Sequence, residues 1–170
     1  MAKRKILHYP DNRLRIVATP VINFNTELST LIKDMFETMY AERGIGLAAT
    51  QINEHIRVIV VDVSENADEK LHIVNPEIVE KKGRIESREG CLSVPQAIDF
   101  VERAEEIEVR GQDCNGRNIS FSANGLLAIC IQHEVDHLDG KLFVDYLSGL
   151  KRSRLKKKAA KIGLKESVAP

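Results

Sequence analysis

The chain has 170 residues, of which 43% are hydrophobic and 29% charged. That is the make-up of one ordinary globular domain with enough chain for a real core, and it excludes collagen-like, disulfide-rich and strongly disordered classes. The 25 basic and 25 acidic side chains cancel only in the sum, because residues 151–170 hold eight basic groups and one acid, a net +7, which leaves residues 1–150 at −7.

Lys3-Arg4-Lys5 opens the chain, but Ile6-Leu7-His8-Tyr9-Pro10-Asp11 follows and forms no apolar run, so no signal peptide is expected. No window holds 18 uninterrupted apolar residues, so no membrane span is expected either. Cys91, Cys114 and Cys130 are odd in number and form no CxxC, and they read as thiols. A cytoplasmic location is the expectation.

Residues 26–43 carry the first periodic signal. Leu28, Leu31, Ile32, Met35, Phe36, Met39 and Tyr40 make one apolar stripe at helical spacing. Asn25 suits the N-cap and Gly44 the stop. Residues 56–123 have strand character, with extended candidates at 56–62, 71–79, 107–111 and 118–123. Asn115-Gly116 marks a hairpin between the last two, with Asp113 and Cys114 lengthening the turn. Residues 124–139 read as a second helix ended by Gly140. Ser148-Gly149 then breaks the chain before a basic, helix-like tail whose apolar stripe (Leu150, Leu155, Ala159, Ile162) is weak. Helix, strands and helix in blocks predict an α+β fold. Antiparallel or mixed sheets would pack around a central HExxH-bearing helix. An N-terminal helix and a C-terminal basic helix complete the expectation. The division expected is a catalytic domain over 1–150 and a helical tail over 151–170.

The chemistry sits in the second helix, where His133-Glu134-Val135-Asp136-His137 is an HExxH motif. Residues i and i+4 on a helix lie about 40° apart, so both imidazoles face one point and can share a metal ion. Glu134 lies about 100° round from His133, where a carboxylate can take a proton from a metal-bound water. The alternative is an ordinary helix with exposed His and Glu. Against it stands the apolar run Leu126–Ile131 just upstream, which has to be buried. Two imidazoles and a carboxylate facing inward there are costly without partners.

The third ligand is open from spacing alone. A peptidase pattern continuing HExxHxxGxxH fails here, because Gly140 fits but Phe143 stands where the third His belongs. Asp139, Asp145 and the distant Glu166 have no motif around them. Cys91, in Glu89-Gly90-Cys91-Leu92-Ser93, is either a thiolate ligand at a strand end or a buried inert thiol. A peptidase or a purely structural metal site therefore stay open as readings of HExxH. Gly44-Ile45-Gly46-x-x-Ala49 also fits a dinucleotide fingerprint, but a helix precedes it where a strand is needed. Those glycines better suit an extended peptide approaching the backbone as an added strand.

Three segments taken together resemble the peptide deformylase family, in its bacterial type: GIGLAATQ (Gly44–Gln51), EGCLS (Glu89–Ser93) and QHEVDHL (Gln132–Leu138), in that order. The likeness runs from about Ile6 to Leu147 and is less typical at Ser87-Arg88 and at 96–99. The resemblance implies a hydrolase that removes the formyl group from the N-terminal formyl-methionine of newly synthesised polypeptides and releases formate. It implies Cys91, His133 and His137 as metal ligands, with Fe(2+) as the metal and Zn, Ni or Co as substitutes. Glu134 would be general base on the attacking water, and the Gln51 side chain with the Leu92 backbone N–H would bind the oxyanion.

Positions for the substrate follow from the helix. Leu126 and Ile129 lie on the His133 side, with Cys130 nearby, and Ile45 and Gly46 could close an apolar pocket suited to methionine. The same residues could simply be core. Glu89 could take the substrate amide. The basic tail is either a solvated helix face or a site for a polyanion, and a ribosome surface near the peptide exit is the partner it suggests.

Overall fold

The computed structural model describes residues 2–168. Three α-helices, α1 (Thr26–Ala41), α2 (Gly125–Leu138) and α3 (Gly149–Val168), frame seven strands. These are β1 (Gly46–Ala48), β2 (Val58–Val61), β3 (Leu71–Lys82), β4 (Ile85–Cys91), β5 (Val94–Arg103), β6 (Glu106–Gln112) and β7 (Asn118–Asn124). The larger sheet has the order β1-β2-β3-β6-β7, and β4 and β5 form a separate hairpin. Every strand pair is antiparallel, which makes the fold α+β as the block pattern predicts.

Side-chain alternation along β2 explains how two helices cover one sheet. Val58 and Val60 join the cluster formed with Leu28, Leu31, Ile32, Met35 and Met39 of α1. Ile59 and Val61 point the other way, into the cluster with Ala128, Ile131, Val135 and Leu138 of α2. All four β2 residues are buried, so the strand reads as a continuous apolar run. A third cluster joins the β4–β5 hairpin to the N-terminal segment and to residues 142–147, with Leu7, Leu14, Val94, Val101 and Phe143 among its members. The α2 helix therefore lies between the sheet and the hairpin.

Asn25 caps α1 by accepting the Leu28 N–H at 3.0 Å. The stop differs from expectation. Arg43, not Gly44, takes the left-handed conformation (φ 57°). Gly44 is needed for space instead, since a Cβ there would lie 2.7 Å from Leu92 Cδ1. The Asn115-Gly116 hairpin forms between β6 and β7, with Asp113 donating its N–H to Arg117 O at 2.9 Å and Gly116 at φ 81°.

The tail is helical, and Leu155, Ala159 and Ile162 are half-buried while Leu150 is exposed. Lys151 pairs with Asp99 at 3.1 Å and Lys158 donates to Gln96 O at 2.6 Å, so α3 rests along β5. Among the described residues no helix is long and apolar enough to cross a membrane.

Candidate metal centre and active-site cleft

The α2 helix presents its HExxH motif to the hairpin. The Nε2 atoms of His133 and His137 lie 3.2 Å apart, and His137 Nε2 is 3.3 Å from Cys91 Sγ. One donor atom from each of the three falls within 4.8 Å of the others. A thiolate and two imidazoles converging from a helix and a strand end are the donor set of a transition-metal site, and three protein ligands leave a position open. Both histidines are buried and Cys91 is half-buried. Burial and the neighbouring His133 push the His137 pKa well down, which keeps its nitrogen free to bind a metal. His133 is pulled the other way: burial opposes its charge, but Cys91 and Glu89 favour it and raise its pKa. A dication held among these atoms would supply positive charge of the kind these partners favour.

The surrounding shell is closely specified. His133 Nδ1 bonds Glu89 Oε1 at 2.8 Å. Arg103, on β5, donates to both Glu89 oxygens at 2.8 and 2.9 Å and to Asp136 Oδ2 at 2.6 Å. Asp136 Oδ2 also accepts from the Tyr146 hydroxyl at 2.7 Å. This chain fixes the orientation of the His133 ring and hence which nitrogen faces the metal position. Gln132 ties α2 to the β5–β6 turn by exchanging hydrogen bonds with the Ala104 backbone at 2.9 Å each. Phe143, where a third histidine was missing from the motif, is buried and its ring stacks on His133 at 6.3 Å.

Glu134 is 4% exposed, and among the described residues its Oε2 has no hydrogen-bond partner. Burial pushes its pKa up to about 7, with His133 and Arg103 opposing the rise and Glu89 and Asp136 adding to it. A carboxylate poised near neutrality is suited to taking and returning a proton. Gly46 makes room for it, because a Cβ there would sit 2.5 Å from Glu134 Oε1 and 2.7 Å from Cys130 Sγ. Gln51 is 1% exposed. Its Oε1 accepts the Ala48 N–H at 2.8 Å and its Nε2 donates to Ser93 Oγ at 3.0 Å, with Cys91 Sγ 3.6 Å away. The side-chain amide is therefore held beside Cys91 Sγ.

These groups line the floor of a cavity of about 950 Å³. Its walls include Gly44, Ile45 and Gly46, then Gly90, Cys91 and Leu92, and Ile129 and Cys130 from α2. Burial raises the Cys130 thiol pKa, and the thiol donates to Ile45 O at 3.6 Å.

Most of the residues singled out from the sequence line this cavity: Cys91, His133, Glu134, Gln51, Leu92, Ile45, Gly46, Ile129 and Cys130, with His137 beside Cys91 and His133. Two are placed otherwise. Leu126 is 52% exposed and lies outside the lining, which stops one helical turn short of it at Ile129. Glu89 borders the cavity, but its Oε1 accepts from Arg103 and binds His133 Nδ1 and its Oε2 accepts from Arg103, so its carboxylate braces the His133 ring. Sequence reasoning missed Arg103, Asp136, Tyr146 and Ser93. Asp136 lies inside the HExxH motif and Ser93 inside EGCLS, and those positions are the signals the sequence offers.

A family model described as polypeptide deformylase matches residues 3–153. A peptide deformylase crystal structure from Legionella pneumophila is 50% identical with a TM-score of 0.94, covering 99% of this chain and 100% of that one. One from Ehrlichia chaffeensis in complex with actinonin is 39% identical (TM-score 0.91), covering 95% and 98%. A Plasmodium falciparum peptide deformylase is 32% identical (TM-score 0.86), covering 98% and 99%. With a family model spanning nearly the whole chain and a half-identical relative sharing its fold end to end, this chain belongs to the polypeptide deformylase family.

Proposed function

We propose that this protein removes the formyl group from the N-terminal formyl-methionine of newly synthesised polypeptides in the cytoplasm, releasing formate. The observation that supports it most is the convergence of Cys91, His133 and His137 beside the unpartnered Glu134 Oε2 at the cavity floor.

Cys91, His133 and His137 would hold a divalent metal, Fe(2+) by family resemblance, with Zn, Ni or Co as substitutes. When bound, such an ion polarises the formyl carbonyl and acidifies a water molecule. Glu134 takes a proton from a water whose oxygen bonds to the formyl carbon, and returns it to the amine nitrogen as the carbon–nitrogen bond breaks and formate leaves. The Gln51 Nε2 and the Leu92 backbone N–H donate to the oxyanion as it forms. An extended peptide pairs with β1, which borders the cavity and, among the described residues, has only β2 as a strand neighbour. The methionine side chain lies against Ile45, Ile129 and Cys130, where its flexible thioether fits an apolar wall. Release of formate from a formyl-Met peptide, set against cleavage of unformylated peptides, tests this reading. Peptide-bond cleavage without formate would overturn it. Metal analysis of protein purified without oxygen identifies the ion.

We propose also that α3 binds the ribosome surface near the peptide exit. Arg152, Arg154, Lys156, Lys157, Lys161 and Lys165 are all exposed, and clustered cations of this kind bind polyanions with strong salt dependence. Removal of residues 151–170 should weaken ribosome co-sedimentation most at low salt while a short formylated peptide is still turned over. Unchanged co-sedimentation would show that α3 is only a solvated helix.

A further inference from the structure

Resting on the deformylase reading above, we infer that Arg43 and Arg88 make the mouth of the cleft select nascent peptides with acidic side chains just downstream of the formyl-methionine. Both line the cavity and both are exposed. Arg43 ends the α1 helix and Arg88 lies on β4. Among the described residues neither guanidinium has an ion-pair partner. The carboxylates of the same cavity are committed elsewhere. Glu42 pairs with Lys3 at 2.5 Å, Glu89 is bound by Arg103, and Glu134 is buried at the catalytic floor.

The spacing sets which substrate positions they reach. Arg43 precedes Gly46 by three residues, and Arg88 precedes Cys91 by three. Each therefore lies at most roughly 10 Å along the chain from the reacting end. An extended peptide covers the same span in about three residues, so the side chains of residues 2 to 4 come within reach of the two cations. Strand alternation supports this on the β4 side. Glu89 and Ser87 point inward and are buried, while Arg88 and Gly90 face out, opposite Phe100 and Ile98. Ile98 lies on the cavity rim and is 59% exposed. The surface beyond the methionine pocket thus pairs cations with apolar area, and the ligand it fits is a short acidic stretch. The net −7 of residues 1–150 does not cancel the effect, since charges beyond a Debye length of about 10 Å are screened.

Formyl-Met peptides carrying Asp, Ser or Lys at residues 2, 3 and 4 in turn provide the test, with formate release measured on the metal-loaded enzyme. Exposed ion pairs of this type change kcat/KM by roughly two- to fivefold each. The Asp-to-Lys ratio should exceed one, reside in KM, and fall as salt is raised. In the double variant Arg43→Glu/Arg88→Glu the ratio within that one protein should invert. A ratio of one in the parent, or a ratio unmoved by the double variant, would overturn the inference while leaving the activity established. Absence of formate from every peptide would instead overturn the proposed function, and this inference with it.

Discussion

Replacing Arg103 by Met removes a buried guanidinium while keeping most of its aliphatic volume, and it exposes how the metal centre is supported. The side chain is 4% exposed and that of Glu89 6%. Three of its N–H groups bond carboxylate oxygens, two on Glu89 and one on Asp136. Without it, Glu89 Oε2 loses its partner and Asp136 keeps only the Tyr146 hydroxyl. Losing one member of a buried pair typically costs about 3–5 kcal/mol. The Glu89 pKa gives a second route to the magnitude. Burial raises it, but the Arg103 and His133 hydrogen bonds prevail and bring it from 4.5 down to about 2. That depression corresponds to about 3 kcal/mol of stability, part of it owed to His133. A carboxylate with a depressed folded-state pKa contributes its stability above the unfolded value and loses it as pH falls through the folded value. The cost of Arg103→Met should therefore be full above about pH 5 and shrink progressively toward pH 2. Urea unfolding of metal-loaded protein at fixed metal concentration measures this, and the thermal midpoint should fall by about 6–12 °C. The His133 ring, no longer braced through Glu89, should also hold metal roughly 10- to 100-fold more weakly. A loss below 1 kcal/mol at pH 7, or a loss independent of pH between 5 and 3, would refute the argument.

Two further outcomes follow from the catalytic floor. Glu134→Gln keeps the shape but not the base, so formate release should drop by about 10²–10⁴-fold with metal content per chain unchanged. Retained turnover would remove Glu134 from the mechanism. Gly46→Ala places a methyl group 2.5 Å from Glu134 Oε1 and 2.7 Å from Cys130 Sγ. Both neighbours are buried, so Glu134 must shift, and kcat/KM should fall by about 10²-fold in steady-state assays of the metal-loaded protein. Kinetics close to those of the parent would show that the floor has slack.

How far the site is legible in the sequence depends on where each partner lies along the chain. His133 and His137 are one helical turn apart, so local periodicity alone puts them together. The α1 stripe and the Asn115-Gly116 turn are legible for the same reason. Cys91 reaches them only through the β4–β5 hairpin, and that hairpin disguises itself. On β4 the inward positions are Ser87 and Glu89, both buried, where an ordinary strand would show apolar residues. On β5 the exposed positions include Ile98 and Phe100. Neither strand displays the apolar-in, polar-out alternation by which half-buried strands are recognised.

The reversal has a chemical cause on the inward side. Glu89 points in because His133 needs an anionic acceptor on Nδ1, and a buried carboxylate then requires Arg103. Arg103 in turn has a spare N–H that only Asp136, back on the metal helix, accepts. The polar residues that erase the strand signal are thus links in one closed loop, His133 to Glu89 to Arg103 to Asp136 and back along α2. Each link joins residues 14 to 44 positions apart, except the last, which is three residues along the helix. Glu89 alone is indistinguishable in sequence from a substrate acceptor, because the difference lies in what occupies its two oxygens. Local spacing identifies the two candidate histidine ligands, and only the tertiary fold identifies Cys91 and the atoms that aim the imidazole rings.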